Sequence, residues 1–218
     1  MDRTLKGTIA VAISAFVLFA AVFGSYMPMR KAQIFIGTLQ SFQSQPPTSL
    51  QDLEDRLSAS LGYPSPVGQE ELVRNTANSI LSLIQRGTDA TTTAALVDFL
   101  DGYYDPILAW GKGMSFGQDV YLEGAVGEVA FARTGNQNYL EKALQYYREG
   151  NALGPNRPQP LYGLFDVYRA MGDVTDTQAT AQKILANWPT DQNIPGALAQ
   201  FLAAAKAAQA TSSGPVKK

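Results

Sequence analysis

The first regime of the chain is an apolar run: GTIAVAISAFVLFAAVFGSYMPM, Gly7 to Met29, 23 residues without a charge. A helix rising about 1.5 Å per residue crosses a hydrocarbon core of about 30 Å with roughly 20 such residues. The run therefore predicts a transmembrane helix over residues 7–29, with contact to the membrane through that segment. Arg3 and Lys6 flank it on one side, Arg30 and Lys31 on the other, and Tyr26 stands near the second boundary as an interfacial aromatic. A cleaved signal peptide is the competing reading, but its apolar stretch is usually 7–15 residues and Val22-Phe23-Gly24 is a poor cleavage site. The basic flanks balance, and the free amino terminus tips the expectation toward an inside N-terminus with an exported domain.

Past Met29 the apolar positions recur at helical spacing. Pro28 is expected to end or kink the span. Ile34, Phe35, Leu39 and Phe42 share one face of a helix over residues 30–42, and Gln45-Pro46-Pro47 breaks it. Thr48 or Ser49 caps a helix from Leu50 to Leu61, striped by Leu50, Leu53, Leu57 and Leu61. Ser65-Pro66 reads as N-cap and first residue of the next helix, with Glu70 and Glu71 at its positive end, Leu72, Ile80, Leu83 and Ile84 inside, and Gly87 closing it. A further helix starts at Asp89 or Thr91 and runs to Tyr103, halted before Pro106. No segment alternates with period two beside turn signals, so the predicted class is all-α without a sheet.

Periodicity organises the C-terminal half. Pro155 and Pro189 are 34 residues apart, the tetratricopeptide (TPR) period, and each follows a helix-like stretch. Leu164, Tyr168, Gly172 and Pro189 resemble the first-helix Leu and Tyr, the inter-helix Gly and the terminal Pro of such repeats. Gly127, Gly135, Ala143, Tyr147 and Pro155 make a rougher first unit, whose turn Gly135–Tyr139 reads as about three residues longer than the pattern. The second unit departs at Thr177 and Ala181. The resemblance implies an array of right-handed helical hairpins. The expected organisation is an anchor over 1–29, a helical bundle segment over 30–114 packed on the repeats, two degenerate TPR units over 115–191, a capping helix over 192–210 (Ile194 to Gln209 at its heart) and a disordered tail, Thr211–Lys218.

Composition narrows the chemistry. The chain has no cysteine and no histidine, which removes thiol nucleophiles, disulfides, Zn–thiolate sites and every Ser-His or Cys-His dyad. A net charge of −2 without a basic patch argues against nucleic acid as a partner. No cofactor or metal is expected and the chain is not read as an enzyme. A catalyst here would have to use carboxylates such as Glu128 and Asp166, about 5–10 Å apart if glycosidase-like.

Three further stretches carry a narrower resemblance: Pro28-Met-Arg-Lys-Ala32, Ser65-Pro-Val-Gly-Gln-Glu-Glu-Leu-Val-Arg74 and Arg157-Pro-Gln-Pro-Leu-Tyr-Gly-Leu-Phe-Asp-Val-Tyr168. They resemble the C-terminal soluble region of bacterial O-antigen ligase/polymerase-type membrane proteins, over most of the chain up to about Asp191. That family's glycan chemistry lies in a polytopic domain absent from this sequence, so no catalytic residue carries over. The resemblance implies a single-pass protein of the bacterial inner membrane with an extracytoplasmic domain, working as a scaffold or adaptor in the cell envelope. Polytopic glycan-assembly proteins are the expected membrane partners. A membrane-tethered TPR co-chaperone at a secretion channel is the second reading.

A TPR stack holds an extended peptide or a helix against its first helices. By spacing, the groove positions are Glu128 and Phe131 in the first unit and Gln159, Tyr162, Asp166 and Arg169 in the second. Glu128 and Asp166 are equivalent positions and favour a basic protein partner. A solvated helix face explains the same residues. The aromatics from Tyr103 to Tyr168 read as helix–helix core ahead of a sugar platform. Asp98, Asp101 and Asp105 sit at i, i+3, i+7 as solvent-facing acids ahead of a cation site, and Gly111-Lys-Gly113 lacks the spacing of a phosphate loop.

Overall fold

The computed structural model describes residues 3–212. Among them every regular element is helical, and there are nine helices: α1 Arg3–Ser44, α2 Leu50–Leu61, α3 Gln69–Gly87, α4 Ala90–Trp110, α5 Phe116–Thr134, α6 Gln137–Leu153, α7 Pro158–Met171, α8 Val174–Asn187 and α9 Asn193–Ser212. The all-α expectation holds. The tail predicted to begin at Thr211 is helical through Ser212, and Ser213–Lys218 lie outside the described residues.

α1 is the one helix among the described residues long and apolar enough to cross a membrane, and its apolar run is uncovered. Pro28 neither ends nor breaks it. The five residues Val22–Tyr26 form a π-helical turn in which the Met27 N–H donates to Val22 O. That extra residue per turn shifts the ladder where Pro28 lacks a donor and where its ring would press on the preceding turn.

The described residues divide into two compact units, one made of the residues up to Ile80 with Asp98–Ile107, the other of Leu81–Val97 with the residues from Leu108 on. The boundary falls inside α3 and α4.

In the first unit the stretch of α1 beyond the apolar run packs on α2. Phe35, Leu57 and Leu61 are buried. Ser49 caps α2 by accepting from the Asp52 N–H, and Arg56 returns to Asp52 at 2.7 Å. Lys31, expected as a membrane-flanking charge, is instead buried. Its ammonium donates to Tyr63 O at 2.9 Å, to Leu61 O at 3.3 Å and to the Gln69 side-chain oxygen. A cation is well placed there, because Leu61 O belongs to the negative end of α2.

Two helix boundaries differ from the sequence reading. α3 begins at Gln69, not at Ser65-Pro66. Ser65 Oγ donates to Val67 O at 2.7 Å, and Gly68 takes a left-handed φ of 89°, which closes a turn before the helix can start. α4 runs through Pro106 to Trp110. The carbonyl freed by the missing donor belongs to Gly102, an exposed residue, so it is left open to solvent rather than stranded in the core.

In the second unit successive helices pack as hairpins, α5 on α6, α6 on α7, α7 on α8 and α8 on α9. Two short turns are built alike. Gly135 and Gly172 end α5 and α7 in the left-handed conformation, at φ 69° and 73°. Asn136 and Asp173 then cap the following helices, accepting from the Asn138 and Asp176 N–H groups. The first turn is thus as tight as the second, contrary to the long turn read from Gly135–Tyr139. The additional residues lie in α6, which has 17 residues against 14 in α8. Leu140, Ala143, Tyr147, Leu164, Val167 and Tyr168 form one core cluster, and Leu161, Phe165, Ala181, Ile184 and Ile194 another.

Candidate functional site

Tyr147 is the residue around which the chemistry gathers. It lies on α6, and its ring passes between the backbones of α5 and α7 at two glycines. A Cβ on Gly124 would meet the ring at 2.7 Å, and one on Gly163 would meet it closer still. Only residues without a side chain leave this slot open. The ring reaches through it, and the Tyr147 hydroxyl donates to Glu128 Oε2 at 2.8 Å. Tyr121 lies on the same side, its ring centroid 5.9 Å from that of Tyr147.

Burial sets the electrostatics. Glu128 is held above the usual carboxylate range chiefly by desolvation, with the Tyr147 bond opposing and the charge of Asp166 adding to the rise. Desolvation likewise raises Asp166, against the pull of Arg169, whose Nη1 stands 2.8 Å from Asp166 Oδ1. The Tyr147 phenol is driven strongly upward by burial and by Glu128, and Tyr121 is raised by the same two causes. Two carboxylates on neighbouring helices therefore sense each other, and only one has a cation. Asp166 has Arg169, whereas Glu128 has a phenol and pairs with no cation among the described residues.

The other groove residues predicted from spacing are distributed differently. Tyr162 donates to Asp191 and packs at 6.0 Å from the Trp188 ring. Asp191 in turn accepts from the Asn193 and Ile194 N–H groups at the start of α9; the Tyr162 bond first and these two after it hold Asp191 low, and the bond to Asp191 pushes Tyr162 up to about 12. Phe131 packs half-buried against the core cluster of Tyr147. Gln159 is exposed in the first turn of α7. The structure therefore brings together Glu128, Asp166 and Arg169 and places Tyr162 in a separate contact, while Tyr121, Tyr147 and Asp191 join sites that spacing alone missed. The available signal for Tyr147 was the pair Gly124 and Gly163, small residues on the two helices expected to flank it.

Nearby, Lys142 bridges to the buried Glu123 at 2.9 Å and ties α6 to α5. Arg148 donates to the Tyr168 hydroxyl at 3.1 Å. Among the described residues no group of His, Cys, Asp or Glu could hold a metal ion, and Asp98, Asp101 and Asp105 form no such group. No family model, curated protein or solved structure matches this chain.

Proposed function

We propose that this chain is a single-pass membrane adaptor, with α1 as its anchor and the hairpins α5–α6 and α7–α8 as a degenerate TPR-type array that holds a basic segment of a partner protein. The observation that carries the reading is Glu128. Half-buried and raised by desolvation, it costs stability as an anion and has no cation of its own, and a Lys or Arg side chain docked there supplies the missing charge. Arg169 already balances Asp166, so the face favours a segment with a single positive charge aimed at Glu128, hydrogen-bonded along its length by Gln159 and neighbouring polar groups. An apolar client of a co-chaperone would leave these charges desolvated, which disfavours that alternative. The resemblance of Ser65–Arg74 and Arg157–Tyr168 to O-antigen ligase-type proteins supplies the partner class, glycan-assembly proteins of the same membrane.

The test is crosslinking of the full-length chain in its native membrane, comparing the natural protein with Glu128→Lys and with a chain whose 7–29 segment is replaced by an unrelated span. Crosslinked peptides rich in Lys or Arg that drop at least about tenfold in Glu128→Lys support the reading. An unchanged crosslink pattern in Glu128→Lys sinks it. Loss only on exchanging the span moves the contact into the lipid.

A further inference from the structure

The oxygens around Glu128 are arranged in a way that distinguishes one cation from another. Glu128 Oε2 is already engaged, because the Tyr147 hydroxyl donates to it at 2.8 Å. Oε1 has no protein donor among the described residues, and the half-buried side chain leaves it open to solvent. Tyr121 stands two turns earlier on α5, on the same helix face as Glu128. Its ring lies 5.9 Å from that of Tyr147, and the Glu128 charge is felt at its phenol. The Tyr121 hydroxyl has no hydrogen-bond partner among the described residues.

A third oxygen comes from α7, which touches α5 directly. Asp166 is close enough for its charge to act on Glu128, and Arg169 Nη1 holds its Oδ1 at 2.8 Å. Oδ2 has no protein donor among the described residues. Arg169 itself is committed, lying over the Phe165 ring at 5.3 Å while it binds Asp166. The two cationic side chains of proteins fit such a place differently. A guanidinium is a planar fork that pairs best with both oxygens of one carboxylate. Here each carboxylate has one oxygen engaged by a partner within the fold. An ammonium is a compact point charge with three donors, one for each open oxygen.

We propose that the site at Glu128 selects lysine over arginine: a partner's ammonium donates to Glu128 Oε1, the Tyr121 hydroxyl and Asp166 Oδ2. This rests on the reading of the hairpins as the holder of a basic segment, and it names that segment's cation. Tyr121 is the residue that sets the specificity, since its hydroxyl is the one neutral acceptor of the three. Tyr147 is a positioning residue, because its hydrogen bond decides which Glu128 oxygen stays open.

The test uses the full-length chain in nanodiscs, isotope-labelled at its tyrosine rings, and two extended peptides of Ala, Ser and Gly. One peptide carries a single central Lys, the other a single central Arg. NMR titration of the Tyr121 and Tyr147 ring signals reads each affinity in the natural chain, Tyr121→Phe and Glu128→Gln. The Lys peptide should bind at least about tenfold more tightly than the Arg peptide. Tyr121→Phe keeps the ring and loses a hydroxyl that bonds to nothing in the described protein, so the fold is kept. It should weaken Lys binding about three- to tenfold and leave Arg binding unchanged. Equal affinities, tighter binding of the Arg peptide, or Lys binding untouched by Tyr121→Phe overturn the selectivity. In each of those cases, loss of binding in Glu128→Gln leaves the basic-segment reading standing. If neither peptide moves the ring signals, or both bind Glu128→Gln as they bind the natural chain, the two readings fall together.

Discussion

At Glu128 a stability cost and the proposed binding role coincide. Its folded-state carboxyl titrates above its unfolded value, so between the two the native state binds more protons than the unfolded state. Stability contributed by this group is therefore present at acid pH and lost as pH rises from the ordinary glutamate range through the raised value. Asp166 acts with the same sign. Glu128→Gln keeps an acceptor for the Tyr147 hydroxyl but no longer has to be ionised. The variant should be as stable as the natural chain or up to about 1 kcal/mol more stable at neutral pH. The fall in stability from pH 4 upward should also flatten without vanishing, because Asp166 remains. Chemical denaturation across that range checks it. A variant that is markedly weaker at neutral pH would mean that the anion is needed by the fold and that no charge waits for a partner. Glu128 and Asp166 could be named from repeat spacing, since helices of one array present equivalent positions alike. Their partners could not: Tyr147 lies 19 residues beyond Glu128 on the next helix, and its approach depends on a slot that only packing creates.

Among the elements, two glycines of similar appearance in the sequence have separate duties. Gly172 turns the chain at φ 73° with nothing near its missing Cβ, whereas Gly163 sits mid-helix against the Tyr147 ring. Gly172→Ala should cost about 1 kcal/mol through backbone strain alone and leave the Tyr147–Glu128 bond in place. Gly163→Ala gains helix propensity but overpacks the ring, for a net loss of about 1–3 kcal/mol, and it should shift the Tyr147 environment in near-ultraviolet circular dichroism. Equal spectra for the two variants would show that the slot is not tight. The same distinction explains what was readable. Amphipathic stripes and caps place most helices to within a few residues, because burying one face and satisfying terminal N–H groups are local demands. Pro106 does not halt its helix and Pro28 does not end its own, because whether a proline stops a helix depends on its surroundings. A π turn absorbs one and an exposed Gly102 carbonyl tolerates the other. The three residues assigned to the first turn lie in α6 instead, since Gly135 and Asn136 alone complete a turn with a cap.

In the molecule taken as a whole, the continuity of α1 matters most. The helix leaves its apolar run and continues to Ser44 without interruption, so the direction of the run is also the direction of the segment that packs on α2. Lys31 fixes that packing. Its buried ammonium gathers the last carbonyl of α2, the Tyr63 carbonyl in the following loop and the Gln69 side chain at the head of α3. A sequence reading assigns such a lysine to the membrane boundary, because charge beside an apolar run is usually solvated there. Here three oxygens replace the water. Lys31→Met preserves length and apolar stem but strands those oxygens. Hydrogen bonds to a charged donor are worth about 1.5–3 kcal/mol, and relief of ammonium desolvation offsets part of that loss. The expected result is a local destabilisation of about 1–2 kcal/mol. By hydrogen exchange, the amides of residues 33–42 and 57–61 should open faster, while those of α7 keep their natural rates. Arg30→Met, on the exposed side of the same turn, should change neither set. If both variants exchange like the natural chain, hydrophobic contact of Phe35 with α2 suffices to hold the helix, and the lysine has no part in setting α1 on α2.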